Sequence, residues 1–166
     1  MCGFLVFPKD YSSARSKKMY IFIDTMEPLI IPVDENTPSV KLDVEQQIFI
    51  IEGESIPESA HKFYKPILEW LRVYEKVLHE QKRMFEDNRR MTFQFKYDYF
   101  NSGSAKYIYE IFSILDKMAM NNLRVRIKWF YGKEDSDMKQ AGEELKKMVT
   151  KLEVKLLETE STFKKK

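Results

Sequence analysis

The sequence predicts an α/β domain, a two-layer sandwich in which helices cover one face of a mixed β-sheet. Residues 91–99 (MTFQFKYDY) and residues 123–131 (LRVRIKWFY) alternate between apolar and polar side chains, as half-buried strands do. Between residues 60 and 78, apolar side chains recur at three- and four-residue steps, which indicates a helix packed on the sheet. Helices on both faces would require continuously apolar strands, so the alternation favours one covered face. The predicted buried face of the first strand comprises Phe93, Phe95, Tyr97 and Tyr99.

The predicted elements follow the order ββαβαβαβ. Two short strands, residues 39–43 (SVKLD) and 48–52 (IFIIE), are joined by a polar connection short enough for a hairpin. The first helix has Pro57 in its first turn, and Pro66 inside the pattern is expected to kink or restart it. The later elements are the strand over 91–99, a helix over 107–119 that ends near Asn121 and Asn122, the strand over 123–131, a helix capped by Asp135 or Ser136 that runs to about Val149, and a strand over 152–157.

The last three strands are connected through helices, which predicts parallel pairing with right-handed crossovers. Parallel strands end at the same edge of a sheet. We therefore expect the strand-to-helix loops at residues 100–104 and 132–136 to lie at one edge.

The composition excludes several classes of protein. The 166 residues include 28 Lys and Arg, 26 Asp and Glu, two histidines and one cysteine. One cysteine forms no internal disulfide and, with two histidines, completes no four-ligand zinc site, so we expect no metal, no cofactor and a reducing, cytoplasmic setting. The apolar run at residues 4–7 is too short for a membrane span or a signal sequence. The near-balanced charge argues against a nucleic-acid partner.

The chain is expected to divide at Met26. Residues 1–25 carry the whole net charge of +2, and residues 11–18 (YSSARSKK) have no apolar period. We therefore expect residues 1–25 to be an N-terminal extension, either poorly ordered or an artefact of the assigned start, although residues 20–23 (YIFI) leave an ordered extra strand as the alternative. A single domain then spans residues 26–160, and residues 161–166 form a basic tail.

The sequence offers little support for catalysis. His61 and His79 lie on one helix pattern, about 27 Å apart at ~1.5 Å per residue, so they cannot act on one substrate. No G-x-S-x-G, Walker A or G-x-G-x-x-G motif occurs in a chain with five glycines. We therefore expect no catalytic residues and a protein that is not an enzyme.

Two sets of charged residues, one acidic and one basic, allow either a functional or a structural interpretation. Glu134, Asp135 and Asp137 could hold a divalent cation, but acidic residues also cap helices, and we favour capping. Lys96 and the basic residues of the next strand could form a docking face, but we favour a solvated sheet face. The basic residues of that strand are Arg124, Arg126 and Lys128.

The turn at residues 99–106 (YFNSGSAK) is the most informative segment. Residues 101–104 are small and polar, and they lie between an apolar strand and an apolar helix. A helix N-terminus offers unpaired N–H groups that would accept a phosphoryl group on a serine. The residues alone leave this function open against simple capping by Ser102 or Ser104.

A family resemblance is carried by four segments: ENTPSVKLD at residues 35–43, IFIIEGESIPESAHKFYKPILEWLRVY at 48–74, YDYFNSGSAK at 97–106 and RVRIKWFYGKEDSDMKQAGEELKKM at 124–148. They resemble the SiaC-type regulatory phosphoproteins, small bacterial proteins similar in fold to the STAS anti-sigma-factor antagonists. The resemblance covers about residues 26–157 and leaves residues 1–25 outside.

The resemblance implies a partner-switching protein of bacterial signal transduction, without enzymatic activity. Family members are phosphorylated on a Ser or Thr directly after an Asn in this turn by a cognate Ser/Thr kinase of the anti-sigma type, and a PP2C-type phosphatase resets them. The unphosphorylated form binds an effector, which in one branch is a diguanylate cyclase that promotes biofilm growth.

Matched residue by residue, the resemblance makes Ser102, directly after Asn101, the acceptor. Gly103 stands where the family usually has Ser, which leaves Ser104 as the runner-up. We expect the partner-binding patch to comprise Asn101, Ser102, Gly103 and Lys106.

The alternative is a small enzyme or ligand-binding domain at the same edge of the sheet, which would use Ser102, Asp98 and the acidic loop. Such a domain predicts a pocket with convergent polar groups and a bound ligand. The phosphoprotein instead predicts one added phosphate and a kinase partner.

Overall fold

The computed structural model describes residues 26–82 and 90–160 of the chain. Within these ranges the elements are β1 Leu29–Ile31, β2 Ser39–Asp43, β3 Ile48–Ser55, α1 Ala60–Lys82, β4 Arg90–Phe100, α2 Ser102–Met120, β5 Arg124–Gly132, α3 Ser136–Met148 and β6 Glu153–Thr159. The predicted extension over residues 1–25 and the predicted basic tail over residues 161–166 lie outside the described residues. None of the helices in the described ranges has the length and apolar character needed to cross a membrane.

The six strands form one mixed sheet, as the sequence predicts. They lie in chain order from β1 to β6, with antiparallel pairing from β1 to β3 and parallel pairing from β3 to β6. In the described residues, each parallel connection includes one helix before the neighbouring strand, so crossovers of one hand place α1, α2 and α3 on the same face. In the described part of the chain, the other face carries no helix. This arrangement confirms the two-layer prediction.

The observed order is βββαβαβαβ because an edge strand, β1, precedes the two predicted strands. It is three residues long and pairs with β2 from Leu29 opposite Leu42 to Ile31 opposite Val40. Pro28 and Pro32 stand on either side of it. Three residues between two prolines show no alternation that could be read as a strand, and proline is tolerated only at such edge positions.

Helix α1 runs unbroken through Pro66, so the prediction that this proline restarts the helix is wrong. Pro66 costs about 3 kcal/mol in a helix interior, whereas each large apolar side chain buried by the same helix contributes about 1.5 to 3 kcal/mol. The buried stripe extends on both sides of the proline, and it therefore outweighs the local cost. Its members are Tyr64, Ile67, Leu68, Leu71, Tyr74 and Leu78.

The start of α1 also differs from the prediction. Pro57 precedes the helix instead of lying in its first turn. Ser59 caps the helix, since its Oγ accepts a hydrogen bond from the backbone N–H of Lys62 at 3.3 Å.

The core lies between the sheet and the helices, with Trp129 of β5 at its centre. This side chain is fully buried, and its ring centroid lies 5.8 to 6.2 Å from those of Tyr97, Phe95 and Phe112. On the opposite face of the same strand, Arg126 is half-buried and donates from Nε to Thr92 Oγ1 at 2.8 Å. Alternation along β5 thus separates a core face from an open face.

A β-bulge interrupts the alternation of β4 before its end. The register moves from Gly53 opposite Tyr97 to Glu54 opposite Tyr99, which leaves Asp98 as an extra residue. Gly53 has φ of 115°, a conformation that favours glycine. Tyr99 is consequently 49% exposed, and Phe100 packs on Trp129 with ring centroids 6.2 Å apart. The prediction that Tyr99 belongs to the buried face is wrong.

Candidate functional site

The strand-to-helix turn between β4 and α2, residues 101–104, is hereafter the Ser102 turn. It follows the carboxyl end of β4, beside the end of β3, where Ser55 pairs with Phe100. Asn101 caps α2, because its Oδ1 accepts the backbone N–H of Ser104 at 2.8 Å. The cap is therefore Asn101, and neither Ser102 nor Ser104, which the sequence left open for that role, caps the helix. Asparagine is among the strongest N-cap residues, and it occupies the last position before the helix.

The two serines of the turn have opposite environments. Ser102 is the first residue of α2, and it is exposed. Ser104 is 0% exposed. Its Oγ donates to the carbonyl oxygen of Ser55 at 3.0 Å and accepts from Ser55 Oγ, also at 3.0 Å. The exposed hydroxyl is thus accessible to another protein, whereas the buried hydroxyl is committed to β3.

Beneath the turn lies a cluster of four buried hydroxyl groups, hereafter the hydroxyl network. Its members are Ser55, Tyr64, Tyr97 and Ser104, none more than 1% exposed. Tyr64 OH lies 2.8 Å from Ser55 Oγ and 3.3 Å from Tyr97 OH. The network therefore connects β3, α1, β4 and the first turn of α2.

The two tyrosines of the network are neutral hydrogen-bonding groups. Burial raises the pKa of Tyr64, and the hydrogen bonds with Ser55, Tyr97 and Ser104 offset only part of that rise. Burial raises the pKa of Tyr97 further, and the neighbouring Tyr64 adds to the effect. Both phenols stay protonated at neutral pH and can donate hydrogen bonds within the network.

The residues predicted to bind a partner come together at the start of α2. Asn101 is half-buried, whereas Ser102, Gly103 and Lys106 are exposed. A second helix begins beside them, since a Cβ atom at Gly103 would lie 3.9 Å from the Cβ of Ala60, the first residue of α1. The patch is therefore bordered by the amino ends of two helices.

The acidic loop has a structural role at the neighbouring turn. Asp135 caps α3, with its Oδ1 accepting the backbone N–H of Met138 at 3.0 Å. Glu134 and Asp137 are exposed. Among residues 26–82 and 90–160, no three His, Cys, Asp or Glu side chains cluster so that they could hold a metal ion. Capping by Asp135, the favoured interpretation, is confirmed.

Two of the basic residues on the open sheet face, Lys96 and Arg126, have polar partners. Lys96 Nζ lies 3.6 Å from Glu52 Oε2, on the adjacent strand. Arg126 hydrogen-bonds Thr92, and its neighbour on β6 is Glu153. The face also carries like-charged neighbours, since Lys128 lies opposite Lys155 on β6, and a solvated sheet face stays the favoured interpretation.

Two pockets bear on the alternative of a small enzyme or ligand-binding domain. One of about 120 Å³ opens between α2 and α3, lined in part by Tyr109, Asp116 and Met148, and a more open one of about 430 Å³ lies on α3; neither includes Ser102 or Asp98. His61 and His79 are exposed on one continuous helix, as the sequence predicts.

Sequence reasoning missed the hydroxyl network and the cap. Asn101 directly before a helical pattern is a cap signal in its own right. The contact between Ser55 and Ser104 joins residues 49 positions apart, and no local sequence pattern indicates such a contact. Tyr64 and Tyr97 read as ordinary core aromatics, because periodicity does not indicate where a buried hydroxyl finds its partner.

Comparison with known proteins identifies the class to which this fold and turn belong. Residues 31–159 match the SiaC family of regulatory phosphoproteins. The chain belongs to that family, which confirms the resemblance noted in the sequence. An uncharacterized protein of Pseudomonas aeruginosa strain UCBPP-PA14 is 23% identical over 121 residues, which cover 73% of this chain and 89% of that protein.

Solved structures share the fold. The crystal structure of apo-SiaC from Pseudomonas aeruginosa is similar with a TM-score of 0.67 and 18% identity, over 78% of this chain and 98% of that one. SiaC in a complex with the diguanylate cyclase SiaD, of which it is the activator, gives a TM-score of 0.68 and 18% identity over 79% and 99% of the two chains.

Proposed function

We propose that this chain is a partner-switching protein without catalytic activity, controlled by reversible phosphorylation of Ser102. Membership in a family of regulatory phosphoproteins supports this class of function. The observation that carries the choice of residue is the exposure of Ser102 at the first position of α2, directly after the cap Asn101. Ser104, by contrast, is fully buried and hydrogen-bonded to Ser55, so a kinase would have to open the turn to reach it.

The fold tolerates a phosphate at this position. A phosphoserine adds about 1.5 to 2 negative charges, and the amino end of a helix stabilises negative charge through its free N–H groups and its dipole. Lys106 stands four residues further along α2, the spacing at which side chains on one helix face meet. The phosphorylated protein should therefore remain folded.

A partner bound at this patch would not tolerate the same phosphate. The patch of Asn101, Ser102, Gly103 and Lys106 is small and carries one cation. A partner that fits the free hydroxyl would have to desolvate a bulky dianion without a matched cation, which costs several kcal/mol. Phosphorylation would thus release the partner.

The proposed partners are a cognate Ser/Thr kinase of the anti-sigma type, a PP2C-type phosphatase and an effector bound by the unphosphorylated form. The related SiaC of Pseudomonas aeruginosa is the activator of the diguanylate cyclase SiaD, which makes a diguanylate cyclase the first candidate effector. The cytoplasmic setting expected from the single cysteine stays a prediction.

The test is identification of the acceptor. The full chain is incubated with ATP and the purified anti-sigma-type kinase encoded nearest to its gene, and its peptides are mapped by mass spectrometry. We expect one phosphate, on Ser102, that a PP2C-type phosphatase removes. Phosphate on Ser104 alone, or none with an active kinase, would contradict the assignment.

A further inference from the structure

We infer that the hydroxyl network positions Ser102 for phosphoryl transfer, by holding the Ser102 turn through Ser104 against the end of β3. The inference rests on the proposed phosphorylation of Ser102 and names the residues that prepare that site. Ser55, Tyr64, Tyr97 and Ser104 are positioning residues in this sense, since they act on the acceptor through the backbone that carries it.

The turn is fixed on both sides of Ser102. The backbone N–H of Asn101 donates to the carbonyl oxygen of Ser55 at 3.1 Å, and Ser104 Oγ donates to the same oxygen at 3.0 Å. The Ser104 N–H is bound in turn by Asn101 Oδ1 at 2.8 Å. Residues 101 and 104 are therefore tied to one carbonyl and to each other, and Ser102 lies between them.

The hydrogen bonds of the network run in one direction. The Ser104 hydroxyl donates its hydrogen bond to the Ser55 carbonyl oxygen, so Ser104 Oγ accepts the hydrogen bond from Ser55 Oγ. Because the Ser55 hydroxyl hydrogen already points to Ser104, Tyr64 OH must donate to Ser55 Oγ. Tyr97 OH in turn donates to Tyr64 OH. Because every member is buried, removing one hydroxyl leaves a neighbour without its partner in a place that water does not reach.

Another tyrosine of α1 shows that the position of the network is specific. Tyr74 is also buried, and its hydroxyl donates to Met91 Sδ at 3.2 Å. Met91 lies near the start of β4, whereas Tyr97 and the Ser102 turn lie at its end. Tyr64, near the start of α1, and Tyr74, beyond its midpoint, thus place two buried hydroxyl groups near opposite ends of β4, and of the two only Tyr64 reaches the turn.

This pair supplies a matched experiment. The variants Ser104→Ala and Tyr64→Phe each remove one hydroxyl of the network, and Tyr74→Phe removes a buried hydroxyl at the far end. Two quantities are measured in each full-length protein: amide hydrogen exchange at residues 101–105, and the steady-state rate of phosphate transfer to Ser102 by the kinase. A denaturant titration records the global stability of each variant.

We expect Ser104→Ala and Tyr64→Phe to speed exchange of the turn amides and to lower kcat for transfer by about tenfold or more, because small misplacements of a reacting group are costly. Tyr74→Phe should lose global stability without either change. Unaltered turn exchange in both network variants, or an equal loss of kcat in Tyr74→Phe, would overturn the inference.

The two proposals fail separately. If the wild-type chain accepts no phosphate on Ser102, the proposed function is wrong, and the exchange rates alone then decide whether the network holds the turn. If the wild-type chain is phosphorylated on Ser102 and the network variants match it in exchange and kcat, the proposed function stands and the inference is wrong.

Discussion

Gly142 of α3 lies directly against the indole of Trp129. A Cβ atom at Gly142 would come within 2.4 Å of Trp129 Cδ1, closer than real Cβ contacts allow. The indole Nε1 donates to the carbonyl oxygen of Met138, one turn earlier on the same helix, at 2.8 Å. Helix α3 therefore packs against the Trp129 ring at a distance that only glycine permits.

Gly142→Ala should destabilise the domain by about 1 to 3 kcal/mol, because the added methyl group overpacks the contact with Trp129. Helix propensity alone would favour alanine by about 1 kcal/mol, so the two effects differ in sign. Urea unfolding of the variant measures the difference. The exposed Glu143→Ala, one residue further on, is the control and should change stability little. A stabilised Gly142→Ala protein would show that α3 moves away from the ring at no cost.

Trp129→Ala should destabilise the domain by about 3 to 5 kcal/mol, as removal of a large buried ring does. Arg126→Ala, on the open face of the same strand, should leave stability nearly unchanged, since its side chain is half-buried and its hydrogen bond goes to the Thr92 hydroxyl on the same face. Chemical denaturation of both variants provides the comparison. Equal losses would mean that both faces of the sheet are buried.

Asp116 should make stability depend on pH. Its buried carboxylate accepts the backbone N–H groups of Thr150, Lys151 and Leu152 at 3.0, 2.8 and 2.8 Å. Burial alone would raise the pKa of Asp116, but these hydrogen bonds outweigh it, and the pKa lies below its ordinary value. The contribution to stability is therefore complete above the pKa of the unfolded chain, about 3.9, and it is lost as pH falls through the lower folded value.

Asp116→Asn tests this dependence. At pH 7 the variant should be less stable by about 2 to 3 kcal/mol, because an uncharged amide replaces a carboxylate that accepts three hydrogen bonds. The gap between variant and wild type should narrow as pH falls below about 4, when the wild-type carboxylate protonates. Thermal or urea unfolding at several pH values measures the gap, and a gap independent of pH would contradict the assignment.

Ser102→Asp should weaken binding of the effector by at least about tenfold, and Ser102→Ala should bind as the unphosphorylated protein does while resisting the kinase. Ser136→Asp is a matched control, because Ser136 is the exposed first residue of α3, directly after the cap Asp135. It places the same charge at an equivalent helix start. Isothermal titration with the purified effector compares the three variants, and equal weakening by both aspartates would refute a specific role for Ser102.

A chain that begins at Met26 should fold with less than ~2 kcal/mol loss of stability. The described sheet begins at Leu29, and Trp70 Nε1 of α1 already holds the preceding segment by donating to the carbonyl of Glu27 at 3.0 Å. Thermal unfolding of this shortened chain beside the full chain measures the difference. A larger loss would assign residues 1–25 to the core.

Hydrophobic periodicity predicted the elements in which the same face meets the core along the whole length. Residues 91–97 and 123–131 alternate because one face of each strand meets the helices throughout, and the stripe of α1 meets the sheet on both sides of Pro66. Prediction failed where a tertiary contact replaced the local rule. The bulge at Asp98 shifts the register against β3, and because the helix begins directly after Asn101, Ser104 lies inside its first turn with its hydroxyl bound to Ser55.

The candidate site depends on the sequence and on the fold to different degrees. The resemblance pointed to the turn and to Ser102 as the acceptor, because both follow from a short string of residues, and that assignment stays a prediction. The partners of that string, Ser55 and Tyr64, are brought to it by the fold alone. The spacing of residues in the sequence does not predict these contacts between distant residues.

The order of strands in the sheet also bears on how the chain folds. Every strand from β1 to β6 pairs with its neighbour in sequence, so no strand has to insert between two strands that have already paired. The two antiparallel pairings join segments that are close in the chain, whereas the parallel pairings join residues about 27 to 44 positions apart, as Ile127 with Val154 and Phe49 with Phe93. Because loop closure must precede such contacts and parallel pairing is intrinsically slow, we expect the antiparallel strands to pair first and the parallel strands to be added to them one after another.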